Sequence, residues 1–381
     1  MALLASTLGI RPRLAVEIRP EGVVAARSDD AQAILSAVAF GRLAEGVIAP
    51  QLKAGNLLNR TKALAAVRNA LESVALKERE TTLVVPDAAV RVLLLDFDQL
   101  PTKSAEALAV VRFRLKKLVP FDVDDAVISY QVMSSAKAGV RVLAVAIPKD
   151  VLAEYEGLVR DAGFEPGAVL PSTLAACAGM IEADAATLLV NAGDSSVTTA
   201  IVQGGVLLLH RTVDLWAEGL HERVLAAAFA EQSLPLVDAE HSAGEWASQK
   251  PVNGYGVVDE QDMEAQRLVD HIAARVMSDP AVKLEVELDA HKLTAVEHEV
   301  TQAVSVATAY FEDTLAQPPG TVLAVGTMGA EALSKLMRDA GFDEREIRVR
   351  ELVEPAMLAA GAGNTSVPHG WMAGVRGALR S

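Results

Sequence analysis

The sequence predicts an α/β fold made of two similar halves, with an extra segment inserted into the first half. A three-strand meander opens each half, at residues 13–42 and again at 187–212, and helices and further strands follow each meander. Residues 87–165 interrupt the first half with strands and a helix of their own. The repeat therefore predicts two domains of one architecture and a small subdomain within the first.

The elements of the first half follow from alternating apolar residues, helical spacing and turn residues. Pro20, Glu21 and Gly22 predict a turn between the first two strands, and Pro86 and Asp87 end a short buried strand. The predicted strands are 13–18, 22–27, 33–42, 82–85, 90–96, 127–132, 140–147 and 168–170, and the predicted helices are 61–76, 103–119, 151–162 and 172–180.

The second half repeats this pattern, with Gly193, Gly204 and Gly205 at the turns of its meander. The predicted strands are 187–191, 197–202, 206–212, 322–325 and 347–352, with a further strand at 282–288. The predicted helices are 215–230, 238–247, 260–277, 292–315, 330–340 and 371–379.

Composition and charge narrow the class of protein. The chain has 381 residues, of which 51% are hydrophobic, so it is long enough for two or three domains with a large core. A formal net charge of −15 argues against nucleic acid as the main partner. Cys177 is the only cysteine, which excludes an internal disulfide and fits a reducing compartment. The sequence has no apolar run long enough to span a membrane, and its first residues make a poor signal peptide. We therefore expect a cytoplasmic protein.

The stretch from residue 103 to residue 132 predicts a helix, a proline stop, an acidic turn and a strand. Leu108, Val111, Leu115 and Leu118 recur at helical spacing and form one apolar stripe. Thr102 can cap the start of this helix, and Pro120 ends it at about residue 119. Residues 127–132 then alternate as in a half-buried strand.

Phe113 lies on the opposite side of this helix from the apolar stripe. Its neighbours on the outer face are apolar at Val110 and basic at Arg112, Lys116 and Lys117. An exposed aromatic among cations is typical of a docking surface for a protein partner. The alternative is that a second layer of the same domain covers Phe113, and the sequence leaves both interpretations open.

The same stretch resembles the signature of PilM-type pilus assembly proteins. Residues Val119-Pro120-Phe121 resemble the Ile-Pro-Phe of that family, acidic residues follow at 122–125, and residues 128–132 resemble its Leu-Asp-Tyr-Gln-Val strand. The resemblance implies an actin-like fold, which is a duplicated ribonuclease H-like fold, with an inserted subdomain of the FtsA and PilM type. It assigns residues 1–86 and 166–183 to the first domain (1A), 87–165 to the inserted subdomain (1C) and 184–381 to the second domain (2A and 2B).

The resemblance also locates two phosphate loops, and both depart from the family pattern. In the first loop, Glu17 stands where the family has aspartate, and Arg19 and Pro20 stand where a glycine turn lets phosphate approach the backbone. In the second loop, Asn191 replaces an aspartate that would help to hold magnesium. Gly193, Ser195 and Ser196 of that loop match the family.

The adenosine motif normally carries paired glycines. Here Gly326 and Gly329 remain, while Thr327 takes the paired position. We therefore expect no enzymatic activity, and ATP with magnesium is the cofactor that the site would take if it still binds one. The other interpretation of Gly193, Gly326 and Gly329 is that they are ordinary turn and packing glycines.

The function implied by the resemblance is that of a cytoplasmic actin-like scaffold of a type IV pilus assembly or related secretion machine. It would lie beside the inner membrane and contact it indirectly, by binding the N-terminal tail of a bitopic membrane protein of PilN type; homo-oligomerisation stays open. The terminal helix resembles an ending that packs on the second domain in this family. Two alternatives are an active ATPase or sugar-kinase-like enzyme of the same fold, and a GspL-type secretion component, in which a membrane span would follow the domain.

Overall fold

The computed structural model describes residues 12–136, 139–180, 185–215, 280–316, 319–342, 347–359 and 367–380, with side chains of the 280–316 segment described from residue 296. The chain divides into two compact units, residues 1–215 with 299–381 and residues 216–298. The elements described below belong to the first unit, apart from the start of one long helix.

The first sheet has the strand order β3-β2-β1-β4-β8. Its strands are β1 (Leu14–Arg19), β2 (Gly22–Arg27), β3 (Ala37–Arg42), β4 (Glu80–Val85) and β8 (Glu165–Pro171). The first three strands form an antiparallel meander, and β4 and β8 add parallel to β1. Helices α1 (Arg60–Val74) and α3 (Lys149–Asp161) cover one face of this sheet with aliphatic side chains. The Asn59 side chain caps α1 by accepting a hydrogen bond from the Lys62 N–H.

The second sheet repeats this topology with the order β11-β10-β9-β12-β13. Its strands are β9 (Thr187–Ala192), β10 (Ser196–Gln203), β11 (Val206–Asp214), β12 (Thr321–Gly326) and β13 (Arg348–Glu351). An antiparallel meander is again followed by two parallel strands. The helices α5 (Pro280–Leu315) and α6 (Ala330–Asp339) belong to this half.

The third sheet is the antiparallel set β5-β7-β6, formed by β5 (Arg91–Phe97), β6 (Ala126–Ala136) and β7 (Gly139–Pro148). Helix α2 (Ser104–Leu115) buries Val111 and Leu115 against one face of this sheet. The other face contributes Met133 and Leu143 to the central core, which also holds Leu207 of β11. Both faces of the inserted sheet are therefore covered.

The central core also takes in α4 (Ser172–Ala178) and the terminal helix α7 (Ala373–Leu379), which contact each other. Every residue of α7 is buried, and the helix packs on α4, β1, β2 and β4. The terminal helix is thus a core element of the protein, as expected, and its most extensive contacts are with α4 and the strands of the first sheet.

The helix of the Phe113 stretch is shorter than predicted. It begins after Lys103, which provides no side-chain cap, and ends at Leu115, whereas the sequence placed a cap at Thr102 and the end at about residue 119. Tighter turns follow, in which the Leu118 N–H donates to the Leu115 carbonyl oxygen. Because the helix has ended, Leu118 leaves the apolar stripe and is 46% exposed.

The strand that follows alternates as predicted only over its first half. Ala126 and Ile128 are buried, and Val127 and Ser129 are exposed. A bulge between Val132 and Ser134 then shifts the register, so that Met133 is buried and Val132 is exposed. A bulge of this kind leaves no mark in the alternation of the sequence.

The strand predicted at 282–288 is wrong, because α5 runs through these residues as one helix. The strand predicted from residue 33 begins only at Ala37, since Ala33 has a left-handed backbone (φ 55°). The helices predicted at 215–230, 238–247 and 260–277 lie outside the described residues, apart from Leu215.

The predicted insertion 87–165 includes α3, whose buried Tyr155 and Leu158 pack in the core of the first sheet. Strands β5 to β7 and helix α2 have a core of their own. The division of the chain into three domains stays a prediction.

Candidate functional site

Polar side chains of the two halves meet where strands of both large sheets end. Strands β1, β4 and β8 are parallel, so their carboxyl ends lie at one edge of the first sheet. Asp87 follows β4, Ser172 follows β8, and Arg19 is the last residue of β1, directly before the turn to β2. Asn191 lies near the end of β9 and completes the group from the second half.

Arg19 is the centre of this group and is buried, with 5% of its surface exposed. Its Nε and Nη2 lie 2.7 Å and 2.6 Å from Glu17 Oε1. Nη2 also donates to Ser172 Oγ at 3.0 Å, and Nη1 donates to Asn191 Oδ1 at 3.3 Å. The guanidinium thus bonds groups of both halves through its fixed fork of donors.

Asp87 organises the other side of the group. Its Oδ1 accepts from the Thr173 N–H at 3.1 Å, and its Oδ2 accepts from Thr173 Oγ1 at 2.5 Å. Asn191 Nδ2 donates to Asp87 Oδ2 at 3.2 Å, to Thr173 Oγ1 at 2.9 Å and to Ser172 Oγ at 3.0 Å. The Asn191 amide therefore presents its oxygen to Arg19 and its nitrogen to Asp87, and an aspartate in its place would repel Asp87.

Glu17 is fully buried, and one of its oxygens is satisfied. Oε1 accepts from Arg19 and from Ser172 Oγ at 2.6 Å, while Oε2 accepts no hydrogen bond among the described residues. Oε2 faces the Cα of Gly374, where an added Cβ would overlap it. Burial raises the pKa of Glu17, whereas the Arg19 guanidinium and the Ser172 hydroxyl act in the opposite direction.

Glu21 links the same turn to the second phosphate loop. Its Oε1 accepts from the backbone N–H of Asp194 at 2.5 Å. An added Cβ at Gly193 would lie 3.0 Å from this oxygen. In the predicted nucleotide site, a phosphate oxygen would take such an N–H group, and here a carboxylate of the protein occupies it.

The two glycines of the adenosine motif have different surroundings. Gly326 has φ 92°, and an added Cβ would overlap the carbonyl oxygen of Ala192, so only glycine fits this close approach. The Thr327 N–H donates to the same carbonyl at 2.8 Å. Gly329 precedes α6, whose first N–H, at Ala330, donates to Glu351 Oε1 at 2.7 Å. A carboxylate of the protein thus occupies this helix start as well.

The structure brings together most of the residues predicted for the nucleotide site. Asn191, Gly193, Ser195 and Ser196 line one small depression, Glu17 lies behind it in contact with Arg19, and Gly326 contacts Asn191. Gly329 belongs instead to the start of α6. Asp87, Ser172, Thr173 and Glu21 also belong to the group and were not predicted from the sequence. The first three carried a signal in the sequence, because each lies within three residues of the end of a predicted strand.

The depression does not fit a nucleotide. Its volume is about 20 Å³, room for about one water molecule, since Arg19 fills the space between the loops. The carboxyl groups of Glu21 and Asp87 and the guanidinium of Arg19 line it, so a triphosphate would meet two acidic groups and one cation. Among the described residues, no cluster of His, Cys, Asp or Glu is arranged to hold a metal ion.

The predicted partner face on α2 is exposed at its centre. Phe113 is 70% exposed, so no second layer formed by the described residues covers it. Val110 is half-buried, and Lys117 is exposed. Arg112 donates to the Val123 carbonyl, and Lys116 pairs with Asp124 at 3.0 Å, so these two cations hold the acidic turn against α2. Phe113 and Lys117 are the predicted residues that point outward.

The duplicated sheets and their facing turns define the actin-like fold, which confirms the predicted fold class. No family model matches the sequence, and no curated protein matches it. No helix among the described residues is long and apolar enough to cross a membrane.

Solved structures share this fold. A chain of the PilM–PilN type IV pilus biogenesis complex matches with a TM-score of 0.62 and 16% identity, over 98% of this chain and 99% of that chain. The cytoplasmic domain of EpsL, an inner-membrane component of the type II secretion system of Vibrio cholerae, has a TM-score of 0.35 and 14% identity over 59% and 78% of the two chains. The ethanolamine utilization protein EutJ from Carboxydothermus hydrogenoformans has a TM-score of 0.42 and 11% identity over 99% and 92%.

The likeness to the pilus biogenesis structure covers nearly the whole chain, so the sequence resemblance to PilM-type proteins extends to the fold. The likenesses to EpsL and EutJ are too weak to carry an argument.

Proposed function

We propose that the chain is a nucleotide-independent scaffold of a type IV pilus assembly or related secretion machine. It lies on the cytoplasmic side of the inner membrane and binds the N-terminal tail of a bitopic membrane protein of PilN type. The observation that carries this proposal is the exposed outer face of α2, centred on Phe113. The likeness of fold to a chain from a PilM–PilN complex supports the choice of machine and partner.

The chemistry of the α2 face suits an extended peptide with apolar anchors and an acidic residue. Phe113 offers a large exposed aromatic surface, and such residues dominate protein interfaces when a partner buries them. Arg114 and Lys117 are exposed beside it and supply positive charge on a protein whose net charge is −15. This local reversal of charge favours an acidic partner and raises its association rate.

The absence of enzymatic activity is part of the proposal. Its support is the buried contact of Arg19 with Glu17, Ser172 and Asn191, which fills the position between the two phosphate loops. Hydrolysis of ATP needs the phosphates, magnesium and an oriented water side by side, and the space left beside Arg19 is too small to hold them together.

The test is a titration of the full-length protein with a synthetic peptide of the membrane partner's N-terminal tail. Phe113→Ala is expected to weaken binding by about 2 kcal/mol, which is about thirtyfold. Leu58→Ala is the matched control, because Leu58 is also a large exposed apolar residue (62%) but precedes α1. Lys117→Glu is expected to slow association and alter its salt dependence, and Lys77→Glu, at an exposed position after α1, is its control.

Circular dichroism of each variant checks that it folds. If folded Phe113→Ala binds the tail with wild-type affinity, the partner face lies elsewhere. If Leu58→Ala weakens binding as much as Phe113→Ala, the effect is not specific to α2. Either result contradicts the assignment of this face.

A further inference from the structure

We propose that the turn between β1 and β2 is a built-in clamp, which holds the two halves of the protein together with its own side chains in place of a bound ligand. The inference concerns Arg19 and Glu21, and it rests on the proposed nucleotide-independent function. Two contacts of opposite charge reach from this turn to residues of the second half.

The Arg19 contact is one part of an uninterrupted polar chain. Arg19 of the first half donates to Asn191 Oδ1 of the second half, and Asn191 Nδ2 donates back to Asp87 of the first half. Asn191 is 5% exposed, so its amide is held between a cation and an anion away from water. The oxygen and the nitrogen of the Asn191 amide are therefore both bonded to charged groups of the first half. Separation of the halves would leave Asn191, Arg19 and Asp87 without these hydrogen bonds.

The Glu21 contact adds a charge of the other sign. Its carboxylate accepts the Asp194 N–H, and its second oxygen, Oε2, is buried. Backbone N–H groups in a turn are general binding sites for anions. Here the anion is the Glu21 carboxylate, which is covalently part of the first half. Its effective concentration at the Asp194 N–H is therefore high, and no free anion is needed.

The C-terminal segment around residues 370–374 also contacts both halves. An added Cβ at Gly374 would overlap the Glu17 carboxylate, and an added Cβ at Gly370 would lie 2.7 Å from the carbonyl oxygen of Gly326. The same short segment thus touches the ion pair of the first half and the end of β12 in the second half. This third contact is independent of the charges.

The test is hydrogen–deuterium exchange of the full-length protein, read in peptides that cover residues 14–21 and 188–196. Glu21→Ala removes the acceptor of the Asp194 N–H, Glu21→Gln keeps an acceptor without the charge, and Glu72→Ala is an exposed control on α1. Arg19→Met tests the contact between Arg19 and Asn191. If Arg19→Met fails to fold, the two Glu21 variants still test the clamp. Wild type is measured with and without millimolar Mg–ATP.

The clamp predicts that exchange in residues 188–196 is at least about tenfold faster in Glu21→Ala than in wild type. Glu21→Gln is expected to remain within about twofold of wild type, because the hydrogen bond persists. Glu72→Ala and Mg–ATP are expected to change neither peptide.

Two results would overturn the clamp. One is Glu21→Ala with wild-type exchange in both loops, and the other is strong protection of both loops by Mg–ATP in wild type. Binding of the tail peptide to the same samples separates the inferences. If wild type binds the tail but its loops are protected by Mg–ATP, the partner-binding role stands and the clamp is wrong. If wild type is not protected by Mg–ATP and does not bind the tail, the clamp stands and the partner-binding role is wrong.

Discussion

The buried ion pair between Arg19 and Glu17 makes a quantitative prediction about stability. Arg19→Met keeps a side chain of comparable reach and removes the cation beside a carboxyl group that is 0% exposed. The Ser172 hydroxyl still donates to Glu17 Oε1 in this variant, but it carries no positive charge, and Oε2 accepts no hydrogen bond among the described residues. Removal of one partner of a buried ion pair costs about 3–5 kcal/mol of folding free energy, and we expect Arg19→Met to fall in this range.

The loss should depend on pH in a defined direction. Burial raises the pKa of Glu17, and the Arg19 guanidinium opposes this rise. In Arg19→Met the pKa therefore rises further, and the variant is least destabilised at acidic pH, where Glu17 is protonated in both states. The destabilisation relative to wild type grows as the pH rises from the folded pKa of Glu17 in wild type to its higher folded pKa in the variant, because over this range the folded wild type ionises Glu17 and the folded variant does not.

Calorimetric melting of a double-mutant cycle measures this effect. Glu17→Met combined with Arg19→Met removes both charges and is expected to be less destabilised than Arg19→Met alone. Arg60→Met is the control, since Arg60 pairs with Asp161 at 2.6 Å on the surface and a pair of this kind contributes at most about 1 kcal/mol. The reasoning is refuted if Arg19→Met costs no more than Arg60→Met, or if the double variant is as unstable as the sum of its single changes.

Three further predictions concern other parts of the core. Gly377→Ala should destabilise the protein by about 1–3 kcal/mol or more in thermal melting, because an added Cβ overlaps the Ala175 carbonyl, whereas Gly320→Ala, with open space around it, should be neutral. Burial lowers the pKa of His210, so stability should fall as the pH drops below the usual value of 6.5 through the folded pKa, by up to about 1.4 kcal/mol per pH unit, and His210→Gln should remove this slope in denaturant titrations. Burial raises the pKa of Cys177 to about 12, so iodoacetamide at pH 8 should label it only after unfolding, and rapid labelling of native protein would contradict its burial.

The duplicated fold was predictable from the sequence because each meander carries clear alternation and glycine turns, and the order of elements repeats. The resemblance at residues 119–132 then selected the actin-like fold, which the structure has. The exact ends of individual helices and strands were harder to predict. The helix around Phe113 ends at Leu115 although helical spacing continues to Leu118, because tertiary packing and not apolar spacing decides where the chain turns.

The candidate site was half predictable. The substitutions at Glu17, Arg19 and Asn191 were visible as departures from a family pattern, but their mutual compensation was not. Arg19 was expected only to obstruct a phosphate, whereas the structure shows it bonded to both of the other substituted residues. Asp87 escaped notice because it lies 104 residues from Asn191 in the sequence, and only the packing of the first half against the second brings the two side chains together.

The wrong strand at residues 282–288 has a similar cause. Valine and leucine alternate there with charged residues, which favours a strand in a short window. The structure continues through these residues as part of α5, a helix of 36 residues. Short windows cannot detect that longer context.

The central claim is that the chain binds a membrane partner's tail without nucleotide, and one measurement tests it most directly. Isothermal titration of the full-length protein with the tail peptide is performed without nucleotide and again with millimolar Mg–ATP. The account predicts a dissociation constant that agrees within about twofold, about 0.4 kcal/mol, between the two conditions, and no heat of binding for Mg–ATP alone. Tail binding that requires Mg–ATP, or that tightens tenfold in its presence, would show that the site at Arg19 still accepts nucleotide and would contradict the account.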